Sequence, residues 1–210
     1  MPKGSEELTN ARKNEIIDVC ASLYETMGFK DITIRDIGAK TSFTRTSIYN
    51  YFQTKEEIFL ALLQREHEQW IADLQGILQD YDELSSSGFS EALAHTLEKR
   101  NCMLKLMSMN LYDMEGQSRI ENLVAFKIAY AGAWQTVTAC LKKFFPHKAD
   151  AEIQGFLYAF FPFLFGVYPY TAHTEKQREA MRLAHVDYIS HTVFEITRNF
   201  ISKLLRSLQP

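Results

Sequence analysis

Residues 33–57, TIRDIGAKTSFTRTSIYNYFQTKEE, crowd three helix starts and one tight turn into a short stretch. Thr33 carries a hydroxyl that accepts an orphan backbone N–H, while Asp36, three residues on, reaches back as in a capping box. A helix is expected from there, with Ile34, Ile37 and the small Gly38 and Ala39 on its buried side. Thr41-Ser42-Phe43-Thr44 interrupts the pattern, and a second helix follows with its entry pinned at Thr44. If the turn holds Ser42 in a left-handed conformation, it costs about 1 kcal/mol relative to glycine. In the second helix Ile48 and Phe52, spaced i and i+4, face a core, leaving Arg45, Thr46, Ser47, Asn50 and Tyr51 as a face of donors and acceptors. Two helices joined by such a turn form the unit whose second member enters the major groove, where each base pair presents its own pattern of donors, acceptors and methyls.

A third start lies at Thr54, with Glu57 in the reciprocal position and Lys55 in the first turn. A cation there opposes the helix dipole. Backbone N–H groups, dipole and ammonium together nevertheless make a seat for a phosphate, and the hydroxyls of Tyr49 and Tyr51 are further donors to a DNA backbone.

At these residues the chain resembles the TetR/AcrR family of bacterial transcriptional regulators. The likeness covers residues 10–60: Met27-Gly28-Phe29 closing a first helix, Thr33-Ile34-Arg35-Asp36-Ile37, Ser47-Ile48-Tyr49-Asn50-Tyr51-Phe52, and Lys55-Glu56-Glu57. It implies that Arg35, Arg45, Thr46, Ser47 and Asn50 lie against bases and that Thr33, Tyr49, Tyr51 and Lys55 hold phosphates. Thr41-Ser42 replaces the Ala-Gly common in the family's turn, and Thr46 stands where a smaller residue is usual.

Hydrophobic residues make up 46% of the 210-residue chain and charged residues 23%, which is globular rather than disordered. The formal net charge of -3 is unusual for a DNA binder. Between residues 28 and 55, however, Lys30, Arg35, Lys40, Arg45 and Lys55 face only Asp31 and Asp36. Phosphates respond to that local excess of cations rather than to the total. Cys20, Cys102 and Cys140 lie far apart without metal-ligand spacing and read as small buried hydrophobes in a reducing compartment. The polar N-terminal sequence lacks the apolar core of a signal peptide, so a cytoplasmic location is expected.

The remainder reads as helix throughout, giving an all-α chain. Residues 1–54 are expected to form a three-helix DNA-binding domain and residues 55–210 a larger helical domain for effector binding and dimerisation. The first helix, about residues 10–28, places Ile16, Ile17, Cys20, Tyr24 and Met27 on one side. A long helix runs from Lys55 to about Gln79, residues 80–88 are a loop, and a helix runs from Ser90 to about Leu111. Ser118 with Glu121 is expected to cap a helix ending before Pro146, and Thr174 with Gln177 to open a last helix reaching about Leu208. On that last helix Ile189, Val193, Ile196, Phe200 and Leu204 form a stripe, widened by Phe194, Ile201, Leu205 and Leu208. Such a face asks for a partner as well as a core. The resemblance implies a homodimer through the last two long helices, binding a pseudo-palindromic double-stranded DNA operator.

Residues 155–172, GFLYAFFPFLFGVYPYTA, contain no charge. Their length is at the lower limit for a bilayer, but Pro162, Gly166 and Pro169 break the run and its tyrosines carry hydroxyls, so a kinked core helix and no membrane partner are expected. Met103, Met107, Phe126, Tyr130, Trp134 and Phe163 are the candidate contacts for a small, mostly apolar effector, with Asn101, Asn110 and Gln135 available to orient its polar end. No cofactor, metal site or catalytic residue is expected: no nucleophile, zinc or phosphate-loop motif is present, and no two histidines stand i, i+4. The resulting expectation is a ligand-responsive transcriptional repressor. The competing one is a TetR-like protein-binding co-regulator without operator recognition.

Overall fold

A computed structural model describes residues 3–207 and contains helices α1 (Lys3–Thr26), α2 (Ile34–Gly38), α3 (Arg45–Ile48), α4 (Lys55–Asp80), α5 (Ser86–Glu98), α6 (Asn101–Gly116), α7 (Ile120–Phe144), α8 (Asp150–Val167), α9 (Glu175–Leu183) and α10 (Val193–Ser207). Among the described residues there is no strand. Contacts divide the chain into two compact units, Met1–Glu66 with Asn110–Tyr130, and His67–Met109 with Ala131–Pro210. Three helices, α4, α6 and α7, continue from one unit into the other.

In the first unit Ile16, Cys20, Leu23 and Tyr24 of α1 are buried with Ile32, Ile37, Ile48, Phe52, Phe59 and Leu62. Phe59 is the centre of this core, with Tyr24 packed edge-on at 5.2 Å and Phe29 at 4.7 Å between ring centroids. The Tyr24 hydroxyl donates to Asn110 Oδ1 at 3.1 Å, which ties α6 to α1.

The second unit is built around Trp70, which is fully buried and lies 6.4 and 6.1 Å from the rings of Phe160 and Phe161 on α8. Its indole N–H donates to Thr96 Oγ1 at 2.9 Å, and that hydroxyl donates in turn to Leu93 O at 2.8 Å. One face of α8, including Ile153, Phe156, Leu157, Phe160, Phe161, Leu164 and Val167, is buried, whereas Tyr158 and Pro162 on the other are exposed. Residues Asp150–Tyr170 are long and apolar enough to cross a membrane, and 39% of the window is buried inside the chain. Pro162 lies within the helix without ending it.

Four expectations are corrected. The segment expected as one helix from Ser90 to Leu111 is two, because α5 begins earlier, with Ser85 Oγ capping Gly88 N–H at 3.1 Å, and ends at Lys99. At that break the Arg100 guanidinium binds Asp73 (Nε at 3.0 Å) and Gln69 Oε1 (Nη1 at 2.7 Å). Ser118 does not cap α7: its hydroxyl donates to Met114 O at 2.6 Å and closes α6. The last helix is also two. Thr174 and Gln177 do form a capping box, but α9 stops in a Schellman motif, with Val186 N–H bonded to Met181 O at 3.0 Å and His185 at φ 52°. A second box, Thr192 with Glu195, starts α10 (Thr192 N–H to Glu195 Oε2, 2.8 Å). Finally, the face of α10 turned into its own unit is Val193, Thr197, Ile201 and Leu205, whereas Ile196, Phe200 and Leu204 are half-buried and Ile189 is exposed outside the helix. Leu208 lies outside the described residues.

Replacing Thr96 with valine leaves the Trp70 N–H buried without an acceptor and is expected to cost about 1–3 kcal/mol in urea unfolding, whereas Thr96→Ser retains the acceptor and costs less.

Candidate nucleic-acid interface

The reading segment is held from three sides. Its entry is the capping box at Thr33, whose N–H donates to Asp36 Oδ2 at 2.9 Å while its Oγ1 accepts Asp36 N–H at 3.2 Å. The Thr33 hydroxyl also donates to Asp36 Oδ2 at 2.6 Å, and that bond with the one from the Thr33 N–H holds the Asp36 carboxyl below its ordinary value. Gly38 permits a close approach of α2 and α3, since a Cβ there would stand 3.0 Å from Arg45 Cβ and 3.1 Å from its Cα. Between them, the Thr41 hydroxyl bridges the Gly38 and Phe43 carbonyls, and Ser42 donates from both N–H and Oγ to the carboxylate of Glu15 on α1. Ser42 therefore meets no left-handed penalty; among the described non-glycine residues only His185 has positive φ.

Helix α3 is only four residues long, too short to be stable alone. The turn carries its path onward through Asn50 N–H to Ser47 O, Tyr51 N–H to Ile48 O and Phe52 N–H to Ile48 O. Ile48 and Phe52 are buried, and Arg45, Thr46, Tyr49 and Asn50 are exposed. Thr44 does not cap a backbone N–H: its hydroxyl meets Ser47 Oγ at 3.0 Å.

Thr33, Arg35, Arg45, Tyr49 and Lys55 line one open hollow of about 330 Å³. Within it Arg45 Nη2 lies 3.4 Å from the Tyr49 hydroxyl. Thr46 and Asn50 are exposed outside that lining, and Ser47 is half-buried. Tyr51 points elsewhere, its hydroxyl 3.4 Å from Arg12 Nη1. Lys55 departs from the expected free ammonium. Its Nζ donates to Phe29 O at 2.8 Å and Ile32 O at 3.2 Å and lies 4.6 Å from the centre of the Phe29 ring. Those carbonyls explain a cation in a first turn, because the ammonium bends away from the dipole that opposes it.

The exit is locked by a buried carboxylate. Glu57 is 1% exposed and accepts from Gln53 N–H at 2.7 Å, from Arg119 Nε at 2.7 Å and Nη2 at 3.0 Å, and from Arg119 N–H at 3.1 Å. Arg119 Nη2 also donates to Tyr51 O at 3.2 Å, and Thr54 Oγ1 donates to Gln117 O at 3.2 Å. The turn between α6 and α7 is thereby fastened to the end of the reading segment. Burial alone would raise the Glu57 carboxyl, but Arg119 and the backbone donors outweigh it and hold it below its usual 4.5. Sequence reading missed Glu15, Arg12 and Arg119, which act across long separations without a local signal.

The candidate effector contacts are distributed. Met103, Met107 and Phe126 are buried, and Tyr130, Trp134 and Phe163 are half-buried. In the first unit Phe126 and Tyr130 lie 6.3 Å apart, and in the second Trp134 packs on Phe161 at 4.7 Å while Phe163 stacks on Phe200 at 4.1 Å.

An exposed polar face on a short helix, backed by two apolar anchors and a capped partner helix, defines a helix-turn-helix transcriptional regulator. Residues 16–62 match the family described as bacterial regulatory proteins, tetR family, and residues 64–208 match the tetracyclin repressor-like C-terminal domain. The chain belongs to the TetR family, whose members bind DNA and small-molecule effectors. It is similar to the HTH-type transcriptional repressor Rv1474c of Mycobacterium tuberculosis, with 28% identity over 85 residues, 38% of this chain and 46% of that protein. It is also similar to the HTH-type transcriptional regulator YfiR of Bacillus subtilis, with 29% identity over 63 residues, 30% of this chain and 31% of that one. Each match spans less than half of the relative's length. The fatty acid degradation regulator FadR of Bacillus halodurans shares the fold at a TM-score of 0.61 and 14% identity, over 94% of this chain and 96% of that one. FadR of Bacillus subtilis, solved with stearoyl-CoA, does so at 0.60 and 13%, over 93% and 98%.

Arg119→Ala strands the buried Glu57 charge and, because the Arg119 side chain is itself 35% exposed and the pair is screened on that side, is expected to lower stability by about 1–3 kcal/mol at neutral pH. Because the native carboxyl is held low, its contribution is present above the ordinary glutamate range and fades as pH falls through the native value. The difference between wild type and variant, followed by urea unfolding against pH, is therefore expected to shrink in acid.

Proposed function

We propose that this TetR-family regulator is a repressor that binds a palindromic operator as a homodimer and is released by a small, mostly apolar effector. The observation that carries the DNA-reading part is the exposed set Arg45, Thr46, Tyr49 and Asn50 on a segment anchored by buried Ile48 and Phe52. In this reading Arg35, Arg45, Thr46, Ser47 and Asn50 address bases. Thr33, Tyr49 and Tyr51 address phosphates. Lys55 contributes the start of α4, its ammonium bracing the Phe29 and Ile32 carbonyls beneath the phosphate.

The pairing of subunits is assigned to α8 and α10. Their outward sides hold Tyr158, Pro162, Ile196 and Phe200, apolar surface that the second unit leaves exposed or half-buried. Symmetric pairing would set the two reading segments about 34–36 Å apart, one turn of DNA. The chain acts in the cytoplasm in this reading, with no membrane partner: α8's apolar outer side meets a second protein surface. Trp134, half-buried in the second unit, is retained as an effector-facing side chain. An effector moves the reading segment only through different affinities for two arrangements of the protein. The Glu57–Arg119 lock is where α6 and α7, which continue into the second unit, reach that segment.

Operator binding by mobility shift at graded salt tests the assignment. Arg45→Ala is expected to cost about 1–3 kcal/mol and to relax preference at one operator position, whereas Lys55→Ala weakens all sequences alike. Equal losses on every sequence for both variants would contradict the role of Arg45, and no selective retention at low salt would contradict operator recognition.

A further inference from the structure

We infer that the second unit carries a separate binding site for a compact amphipathic acid, a single ring or short branched chain ending in a carboxylate, at the turn between α7 and α8. The site is a cavity of about 240 Å³ between that turn, the start of α5 and the end of α10. Its walls are apolar: Leu84, Leu141, Phe144, Phe145, Ile153, Phe156 and Leu205. None of the six effector candidates named from sequence belongs to its lining.

Size and charge select the ligand class. An apolar cavity of about 150 Å³ already admits benzene, and filling the present one to the density of a protein interior takes on the order of a dozen non-hydrogen atoms. A ring with a short tail fits, and a long acyl chain does not. The polar part of the lining is Ser85, Ser86, His147 and Lys148, so among the described residues its only charged side chain is a cation and no carboxylate lines it. The Lys148 side chain is 9% exposed, and its ammonium lies 3.0 Å from Glu152 Oε1. That carboxylate is shared with Ala149 N–H at 2.9 Å, and an ammonium has three protons to donate. A carboxylate entering beside Lys148 and His147 completes the ammonium's shell, and an amine in the same place meets like charge. The consequence for transcription rests on the reading above; occupancy of the cavity does not.

The probe is 3-phenylpropanoate, compared with 3-phenylpropylamine, titrated calorimetrically into the full chain, with intermolecular proton contacts to the Ile153 methyls recorded by NMR. The expected result is saturable binding of one acid per chain, the amine at least about tenfold weaker, and contacts from the ring to Ile153. Leu84→Trp fills the cavity from an accessible turn and is expected to weaken the acid by at least about tenfold while operator binding is retained. Lys148→Gln is expected to remove the preference for acid over amine. Absence of saturable binding at millimolar acid, equal affinity for the amine, or binding without contacts to Ile153 would each overturn the site. Operator selection by the same protein keeps a failure here distinct from a failure of the regulator assignment.

Discussion

A single enclosed carboxylate governs the geometry of the reading head. Glu57 is buried and held as an anion by the Arg119 guanidinium and by two backbone donors, the N–H groups of Gln53 and Arg119, at the end of the segment that carries Arg45 and Asn50. A four-residue helix has almost no cooperative stability of its own. Its orientation is therefore borrowed: from Ile48 and Phe52 in the core, from Glu15 on the turn, and from Arg119 at the exit. A buried ion pair adds little net stability compared with apolar packing, but it is intolerant of separation. That intolerance suits a joint between a reading element and the turn that joins α6 to α7.

The head was legible in sequence because its signals are local. Thr33 and Asp36, Ile48 and Phe52, and Thr54 and Glu57 all act within four residues, where hydroxyl caps and helical spacing leave a visible pattern. The all-helical architecture followed for the same reason. What escaped the sequence was contact at distance and stops without the usual residue. Lys55 was expected to project a free charge, and only the fold reveals that the Phe29 and Ile32 carbonyls lie beneath it. His185 ends α9 in a position where glycine is the familiar signal, so the helix read through. The Thr192–Glu195 box that restarts it lies inside the span expected as one helix, where a capping pair gives no separate signal.

In the second unit Phe156, Phe160, Phe161 and Trp70 pack on one another as core. The apolar outer side of α8 and the half-buried edge of α10 are instead surfaces that one chain leaves uncovered. The proposed pairing would cover them and would set two reading heads on one operator.

The central claim is that the exposed face of the α3 segment reads bases as one of a symmetric pair. Sequencing of genomic fragments retained by the purified protein from a competitive pool tests it most directly. The account predicts enrichment of an inverted repeat whose half-sites are centred about one helical turn apart. Enrichment of a single unrepeated site, or a retained pool no different from the input at low salt, would contradict it.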